Sequence, residues 1–551
     1  MRVGDRWGDR LPSFPETAVR RYQAAGAWTD RTIGEQLHAT AQRFPDRTAV
    51  AALDGRLSYA ELDARTDQIA VGLRELGLRP GDPVLFQVDN RLHTVLAWYG
   101  VLKAGLVPVA TLAQHRRHEI DQISRRVEAV AHLVDATPGA KFDLLSFAAE
   151  CADGHPTLRH VLTIGAPTPT AGSTRVEDLS ADPLSARETV RAIQADLDPT
   201  DVAVFQLSGG TTDVPKVIPR RHAEYWYNSL AYARGFGLTE HSRVAHILPI
   251  AHNAGIVCGV HAAHSVGACL LLGVPDVTAC FPFLVAERVT HILVGHAHFL
   301  AIGETGIATL AGSLEKILLS GTKVPPELFA TIERHGIWSG QNFGMGEGFF
   351  ALTPPDAPRE ARLVSVGVAL SELDEFRILE PGGERELPDG ETGELCCRGP
   401  YTIPGYLDSA EHNSVAFTSD GFYRTGDLAS VLTFDGRRYL SIDGRLKDVI
   451  SRGGEKVNAE EVEGLLLRHP AITEAAVVAM PDPRLGERAC AFVVARDEPV
   501  TLDDVREHLA ALGVAKFKWP ERLERVDRLP RSNVGKVDKR SLRAAAAALV
   551  S

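Results

Sequence analysis

The chain has 551 residues, a formal net charge of −12, 44% hydrophobic residues and 24% charged residues. This length exceeds one ordinary domain, and the composition is that of a globular protein made of one very large unit plus a smaller one, or of several units. The acidic surplus argues against a nucleic-acid partner, whose phosphates call for a basic surface, but leaves room for a local basic pocket that holds an anion such as ATP.

In chain order, residues 1–16 carry charges and no apolar h-region, so no secretory signal is expected and a cytoplasmic protein is. Residues 33–135 alternate helical patterns, such as 58–75, with short apolar runs, such as 83–88. The alternation continues through Val202–Leu207, 243–248, 268–272 and 291–294, and it implies a layered α/β body with largely parallel strands. The most apolar stretch, 257–274, is broken by His261, His264, Ser265 and Gly267 and reads as buried core, not a membrane span. Residues 372–394 are rich in Gly, Pro and Glu, with apolar runs at Glu375–Leu379 and 393–397, as for an antiparallel strand set. After Arg445 comes a compact tail with helices at 459–468 and 502–512 and strands at 474–480 and 489–495, enough for a small α+β unit. The alanine run 544–548 ends a terminal helix. The seven cysteines are scattered without CxxC spacing, so they suggest neither a zinc site nor a disulfide framework.

The chemistry begins with Ser208-Gly209-Gly210-Thr211-Thr212-Asp213-Val214-Pro215-Lys216, directly after the run Val202–Leu207. Glycines let backbone N–H groups approach phosphate oxygens, hydroxyls add donors and a lysine adds countercharge. The lysine follows a proline, so this is not a Walker loop, and alone it could be a plain turn. Further segments follow in order: Phe343-Gly344-Met345-Gly346-Glu347, Thr425-Gly426-Asp427, Gly444-Arg445-Leu446-Lys447-Asp448, Ser451 to Val457 around Gly453 and Gly454, and Asn533-Val534-Gly535-Lys536. An aromatic face beside a carboxylate, an aspartate able to accept ribose hydroxyls and a lysine on a glycine turn together describe a nucleotide site.

With these motifs the chain resembles the acyl-adenylate-forming superfamily from about residue 30 to its end. It is most similar to the stand-alone aryl-acid AMP ligases (2,3-dihydroxybenzoate or salicylate type) of siderophore and nonribosomal peptide pathways. Ile218-Pro219-Arg220, Ala251-His252-Asn253, Arg398 to Ile403, Asp420 to Arg424 and Ser451 to Glu463 carry that likeness. The resemblance implies an α/β body, residues 1–446, with layered sheets and a small β-barrel-like part, and a mobile α+β lid, residues 447–551. By the same resemblance Ser208, Gly209, Gly210, Thr211, Thr212 and Lys216 would wrap the ATP phosphates, and Glu347 with Thr212 would hold Mg2+. Gly321, Thr322, Asn342, Phe343, Gly344 and Met345 would flank the adenine, and Asp427 with Arg445 would bind the ribose. Lys536 would bridge the carboxylate and α-phosphate, Lys447 would be the hinge, and Gly453 and Gly454 would line the thiol tunnel. Superfamily members usually have glycine at Asp213, whose charge beside the triphosphate would weaken ATP binding.

For the acid, the resemblance places His252, Asn253, Ala254, Cys258, Ser320, Gly321, Asn342 and Gly346 around the ring. Asn253 would meet an ortho substituent, and Cys258 stands where dihydroxybenzoate ligases have a serine. Ala254 replaces a usual tyrosine, which opens space, while Ser320 and Asn342 replace glycine and valine and add polarity. The expected substrate is salicylate-like, or a larger hydroxy- or amino-substituted benzoate, or a bicyclic analogue. The acyl group would pass to the phosphopantetheine thiol of a separate aryl carrier protein, with free coenzyme A as the alternative. A nucleotide-binding regulatory protein without catalysis is the reading from another class.

Overall fold

The computed structural model describes residues 3–140, 142–208, 215–274, 276–295, 298–320, 324–452, 455–496, 499–514, 516–532 and 535–550. One sheet has seven strands in the spatial order Ser173–Arg175, His160–Ile164, Ala131–Asp135, Pro83–Gln87, Val107–Val109, Val202–Leu207 and Val217–Arg221. All neighbours are parallel except the last two, which form an antiparallel pair. A second sheet has nine strands: Val368–Ala369, Phe350–Leu352, Trp338–Gly344, Lys316–Ser320, His291–Gly295, Arg243–His246, Cys269–Leu272, Thr48–Ala52 and Gly55–Ser58. It is parallel in its interior and antiparallel at its edges. Parallel strands covered on both faces require continuous apolar runs, and Pro83–Gln87, Ala131–Asp135 and Cys269–Leu272 are buried throughout.

The helices Tyr59–Glu75, Leu92–Lys103 and His222–Phe236 share one continuous core with residues of both sheets. Helix Tyr59–Glu75 starts one residue later than the pattern predicts, because Ser58 is its cap. The Ser58 Oγ accepts from the Glu61 N–H, and the Glu61 carboxylate accepts from the Ser58 N–H. Helix Leu92–Lys103 is buried at every residue but His93, so it is apolar nearly all round. Its last residue, Lys103, is fully buried, with Nζ 2.6 Å from both Asp63 Oδ1 and Asp67 Oδ1. Against the upward pull of burial, the bonds from His38 and Lys103 bring the Asp63 carboxyl down to about 2.

The stretch 257–274 is core, as expected. It forms a π-helix, Gly255–Val260, then the helix His261–Ser265 and the strand Cys269–Leu272. Among the described residues no helix is long and apolar enough to cross a membrane. Where the sequence led to a small β-barrel-like part, the described residues form a four-stranded antiparallel sheet of Glu375–Leu379, Gly393–Arg398, Tyr423–Phe434 and Arg437–Arg445, whose first and last strands do not pair. Beyond it, Val449–Arg452, Glu455–Asn458, Ile472–Asp482, Gly486–Ala495 and Arg522–Arg525 make a separate sheet, joined by the helices Ala459–Leu466, Leu502–Ala511 and Lys539–Ala548. Two hydrophobic clusters here draw no residue from before Ile450, so this small α+β part has its own core.

Candidate functional site

Residues 208–216 connect the antiparallel strands Val202–Leu207 and Val217–Arg221, so this phosphate-type loop is a hairpin connection and not a strand-to-helix turn. Its base is closed by two bonds: the Ser208 N–H donates to the Lys216 carbonyl at 3.0 Å, and the Lys216 N–H donates to Ser208 Oγ at 3.0 Å. The tip, with Gly209, Gly210, Thr211, Thr212 and Asp213, lies outside the described residues, as do Gly321, Thr322, Gly453, Gly454, Asn533 and Val534. Lys216 Nζ is 2.8 Å from His412 Nε2 and 5.0 Å from the centre of the Tyr406 ring. Burial lowers the Lys216 pKa, and the Glu347 charge opposes that.

Glu347 follows the strand Trp338–Gly344 in a turn that only glycine permits at the next position. Gly348 has φ +123°, and a Cβ there would stand 1.6 Å from the Tyr401 carbonyl oxygen. The buried Glu347 carboxylate accepts from the Tyr406 hydroxyl at 2.7 Å, and the Tyr423 hydroxyl lies 2.7 Å from that of Tyr406. Arg220, fully buried, forks onto Glu224 at 3.0 and 2.8 Å and donates to the Gly346 carbonyl at 2.8 Å, which fixes the turn from beneath.

Asp427 and Arg445 face each other on the last rung of an antiparallel pair, with Nε 2.7 Å from Oδ1. Burial raises the Asp427 carboxyl to about 6, although Arg445 and Lys536 both pull it down. Lys536 reaches this place from the C-terminal part: burial lowers its ammonium, Arg445 lowers it further, and Asp427 and Glu460 oppose them. Nearby, burial and then the Lys536 charge hold the His252 imidazole down to about 4. Lys536 and His252 both keep accessible surface, so each stands open to a ligand. Lys447, exposed in the short turn Leu446–Asp448, offers its carbonyl to Arg543 at 3.4 Å, and Arg543 also pairs with Asp448.

From exposed His252 the segment 252–260 runs into the core of the body. Asn253 is tied down: its Oδ1 accepts from the Tyr225 hydroxyl at 3.0 Å and its Nδ2 donates to the Met345 carbonyl at 3.3 Å. The Tyr225 oxygen in turn accepts from Gln206 at 3.0 Å. Ala254 is half-buried and enters the π-helix that carries Cys258, whose thiol is buried and raised by that burial. The polarity expected of Ser320 and Asn342 is largely spent inside the sheet. The Ser320 Oγ donates to the Asn342 carbonyl at 3.0 Å, because these two residues are register partners in adjacent strands, and Asn342 Nδ2 donates to the Ala351 carbonyl of the following strand at 3.2 Å. Phe343, half-buried, packs with Phe349 at a 6.5 Å centroid distance. The sequence reading left out Tyr225, Tyr406, His412 and Glu460. Their only sequence signal is position beside the motifs, since each acts across distant stretches of chain.

Residues 37–407 match the family described as AMP-binding enzyme, and residues 461–536 match the AMP-binding enzyme C-terminal domain. The chain belongs to this family. Full-length relatives agree. The chain is 40% identical over 548 residues to the pyochelin synthase PchD of Pseudomonas aeruginosa, covering 97% of this chain and 96% of that protein. It is 38% identical over 550 residues to a 2-hydroxy-7-methoxy-5-methyl-1-naphthoate–CoA ligase of Streptomyces carzinostaticus, covering 97% and 96%. It is also 38% identical over 541 residues to a salicyl-AMP ligase / salicyl-S-ArCP synthetase of Mycobacterium tuberculosis, covering 96% and 93%. As an AMP-binding enzyme the protein is an ATP-dependent acid–thiol ligase that works through an acyl adenylate.

Proposed function

We propose that the protein activates an aryl carboxylic acid with ATP and passes the acyl group to the phosphopantetheine thiol of a separate aryl carrier protein. The observation that carries this reading is the grouping of Lys536 with the Asp427–Arg445 pair and His252, near enough for their charges to act on one another. A cation brought from the C-terminal part stands where a nucleotide and an acid would meet. An acid carboxylate attacking an anionic phosphate needs positioning and positive charge, not deprotonation. A carboxylate oxygen forms a bond to the α-phosphorus, the bond from that phosphorus to the β-phosphate bridging oxygen breaks, and pyrophosphate leaves. The thiolate then attacks the acyl carbon and AMP departs with the oxygen that linked them.

In this reading Lys536 bridges carboxylate and α-phosphate, and Asp427 and Arg445 hold the ribose. Ser208, Lys216 and the loop between them hold the phosphates. Lys216 rests on neutral His412 and on the Tyr406 ring, an arrangement suited to transfer onto a phosphate. Asn342, Phe343, Gly344 and Met345, with Gly321 and Thr322, flank adenine. Mg2+ fits the donor set: magnesium bound with a nucleotide takes one or two protein carboxylates, and Glu347 offers one, oriented by Tyr406; in this reading the Thr212 hydroxyl would be a second donor. Bound there, the ion would neutralise developing phosphate charge. We place the division between body and lid at 446/447, with Lys447 as hinge and Gly453 and Gly454 along the thiol path.

The acid is salicylate-like, or a larger hydroxy- or amino-substituted benzoate or bicyclic analogue, because Ala254 leaves room beside the ring. The naphthoate ligase among the relatives supports the larger class and the coenzyme A alternative, and the salicyl-S-ArCP synthetase supports the carrier. Pyrophosphate release across benzoates and naphthoates, followed by thioester formation on holo-carrier or coenzyme A, tests the reading. No release with any aryl acid would overturn it.

A further inference from the structure

Residues 3–12 lie ahead of the stretch that matches the family, yet they are built into the phosphate side of the site. Trp7 is 2% exposed and meets Phe205 edge-on at 5.1 Å, in the strand that leads into the loop 208–216. Trp7, Phe205, Val217 and Leu407 share one hydrophobic cluster. The Pro12 carbonyl accepts from buried Arg221, and the Pro12 ring takes the space beside Gly405, where a Cβ would stand 2.8 Å from Pro12 Cγ. Between these two anchors, the Arg10 carbonyl accepts from the Asp408 N–H at 2.9 Å. The Arg10 guanidinium donates to Glu128 Oε1 at 2.6 Å, to the Arg126 carbonyl at 2.7 Å and to Asp408 Oδ2 at 3.4 Å.

Asp408 is a non-glycine residue in the left-handed region, with φ +51°. Such a backbone is costly and persists where its surroundings hold it, typically beside a working site. This one redirects the chain between two ties to the phosphate hairpin. Before it, the Leu407 N–H donates to the Val217 carbonyl at 3.0 Å. After it, the short helix Ala410–Asn413 carries His412, whose Nε2 is 2.8 Å from Lys216 Nζ. Asn413 closes the ends of this loop, accepting from the Tyr406 N–H and donating to the Tyr406 carbonyl, both at 2.9 Å. Its apex at Asp408 is met from outside by Arg10. The His412 ring lies 5.2 Å from the Tyr406 ring, the same ring that Lys216 sits over. We infer that the N-terminal strap is part of the ATP site, with Arg10 a positioning residue that holds the left-handed turn at Asp408 and so sets His412 against Lys216. This inference rests on the proposed role of Lys216 at the ATP phosphates and adds a determinant of triphosphate binding that acts through His412.

The experiment measures the Kd of MgATP and of AMP by calorimetry on the full-length protein, with a melting temperature for each variant. The Arg10 pairs are partly exposed and add little stability, so Arg10→Ala should fold normally. It should weaken MgATP about 5- to 30-fold, the scale of one left-handed residue freed of its restraint. AMP, which lacks the β- and γ-phosphates, should bind as before. Asp408→Val, whose branched side chain resists the left-handed region, should weaken MgATP in the same way with Arg10 intact. Glycine enters that region at no steric cost, so Asp408→Gly combined with Arg10→Ala should regain most of the MgATP affinity. His412→Ala should itself weaken MgATP, and adding Arg10→Ala to it should change little, since both act through one contact. Unchanged MgATP affinity in Arg10→Ala and Asp408→Val would overturn the inference. So would equal losses of MgATP and AMP, no rescue by Asp408→Gly, or full additivity with His412→Ala. These readouts need no acid, so they decide the inference even if no aryl acid supports pyrophosphate release, a result that would overturn the proposed function alone.

Discussion

Arg445 Nε and Asp427 Oδ1 stand 2.7 Å apart on the final rung of the pair Tyr423–Phe434 and Arg437–Arg445, two residues ahead of the proposed pivot at Lys447. The rung fixes one end of the site to a rigid sheet, and burial holds the Asp427 carboxyl up at about 6. Asp427 is therefore a carboxylate above about pH 6 and a neutral acid below it. A neutral acid is the weaker acceptor for ribose hydroxyls, so KM for ATP should rise about 10-fold as pH falls from 7.5 to 5. Asp427→Asn should show a raised KM that no longer varies with pH over this range. Because the folded form holds its proton more tightly than the unfolded chain, the free enzyme should also lose stability as pH rises from about 4 to 6, and Asp427→Asn should remove that part of the slope. Steady-state kinetics from pH 5 to 8 and thermal melts from about pH 4 to 8 check both, and a flat wild-type KM would remove Asp427 from the ribose site.

Lys536→Ala should reduce acid-dependent pyrophosphate release by at least about 10²- to 10³-fold, the scale of losing one preorganised charge on a transition state. Thioester formation from pre-made acyl adenylate should stay largely intact, since the lysine serves the first half-reaction alone. If both half-reactions fell together in a folded variant, the role assigned to Lys536 would be wrong.

Lys447→Pro fixes φ at the pivot and removes its N–H, which should hold the lid in one orientation. Adenylation should survive and thiolation should drop severely. Single-turnover measurement of each half-reaction separates the two, and unimpaired thiolation would exclude rotation about Lys447.

Ala254→Tyr should restore bulk where the chain has little. It should lower kcat/KM for a larger or bicyclic acid while sparing salicylate, with a change in relative specificity of about 10- to 200-fold, or ~1–3 kcal/mol. A wild type that already prefers plain salicylate over every bulkier acid would reduce Ala254 to a repacked wall.

The layered body was legible in the sequence because buried parallel strands must be unbroken apolar runs. Val202–Leu207 and Glu375–Leu379 have the bounds that their patterns suggest. The hairpin strands Ile472–Asp482 and Gly486–Ala495 run past the expected 474–480 and 489–495 chiefly toward the turn, since residues such as Asp482 and Glu487 pair through their backbone whatever their side chains. Within the site, Glu347, Asp427, Arg445 and Lys536 could be named because each sits on a short glycine-marked motif. What could not be read was how polar atoms are used. Asn342 and Ser320 look like pocket polarity in one dimension, but sheet register pairs them with each other, and the Asn342 amide reaches the Ala351 carbonyl on the next strand. The His412 to Lys216 contact spans 196 residues, and only the folded chain reveals it.

The π-helix Gly255–Val260 lies between two fixed points. Upstream, Asn253 is bound to Tyr225 and Met345. Downstream, His261 accepts from Trp98 at 3.0 Å and His264 lies 2.8 Å from the Tyr99 hydroxyl. A π turn holds one residue more than an α turn, so this segment stores a surplus residue between clamped ends. Removing one residue from it would let the turn tighten to α geometry while both clamps stayed in place. The change would be confined to this one turn of the core, beside Ala254. The proposed acid pocket can thus be re-cut by length as well as by substitution, at a point where the surrounding helices and sheet need not move.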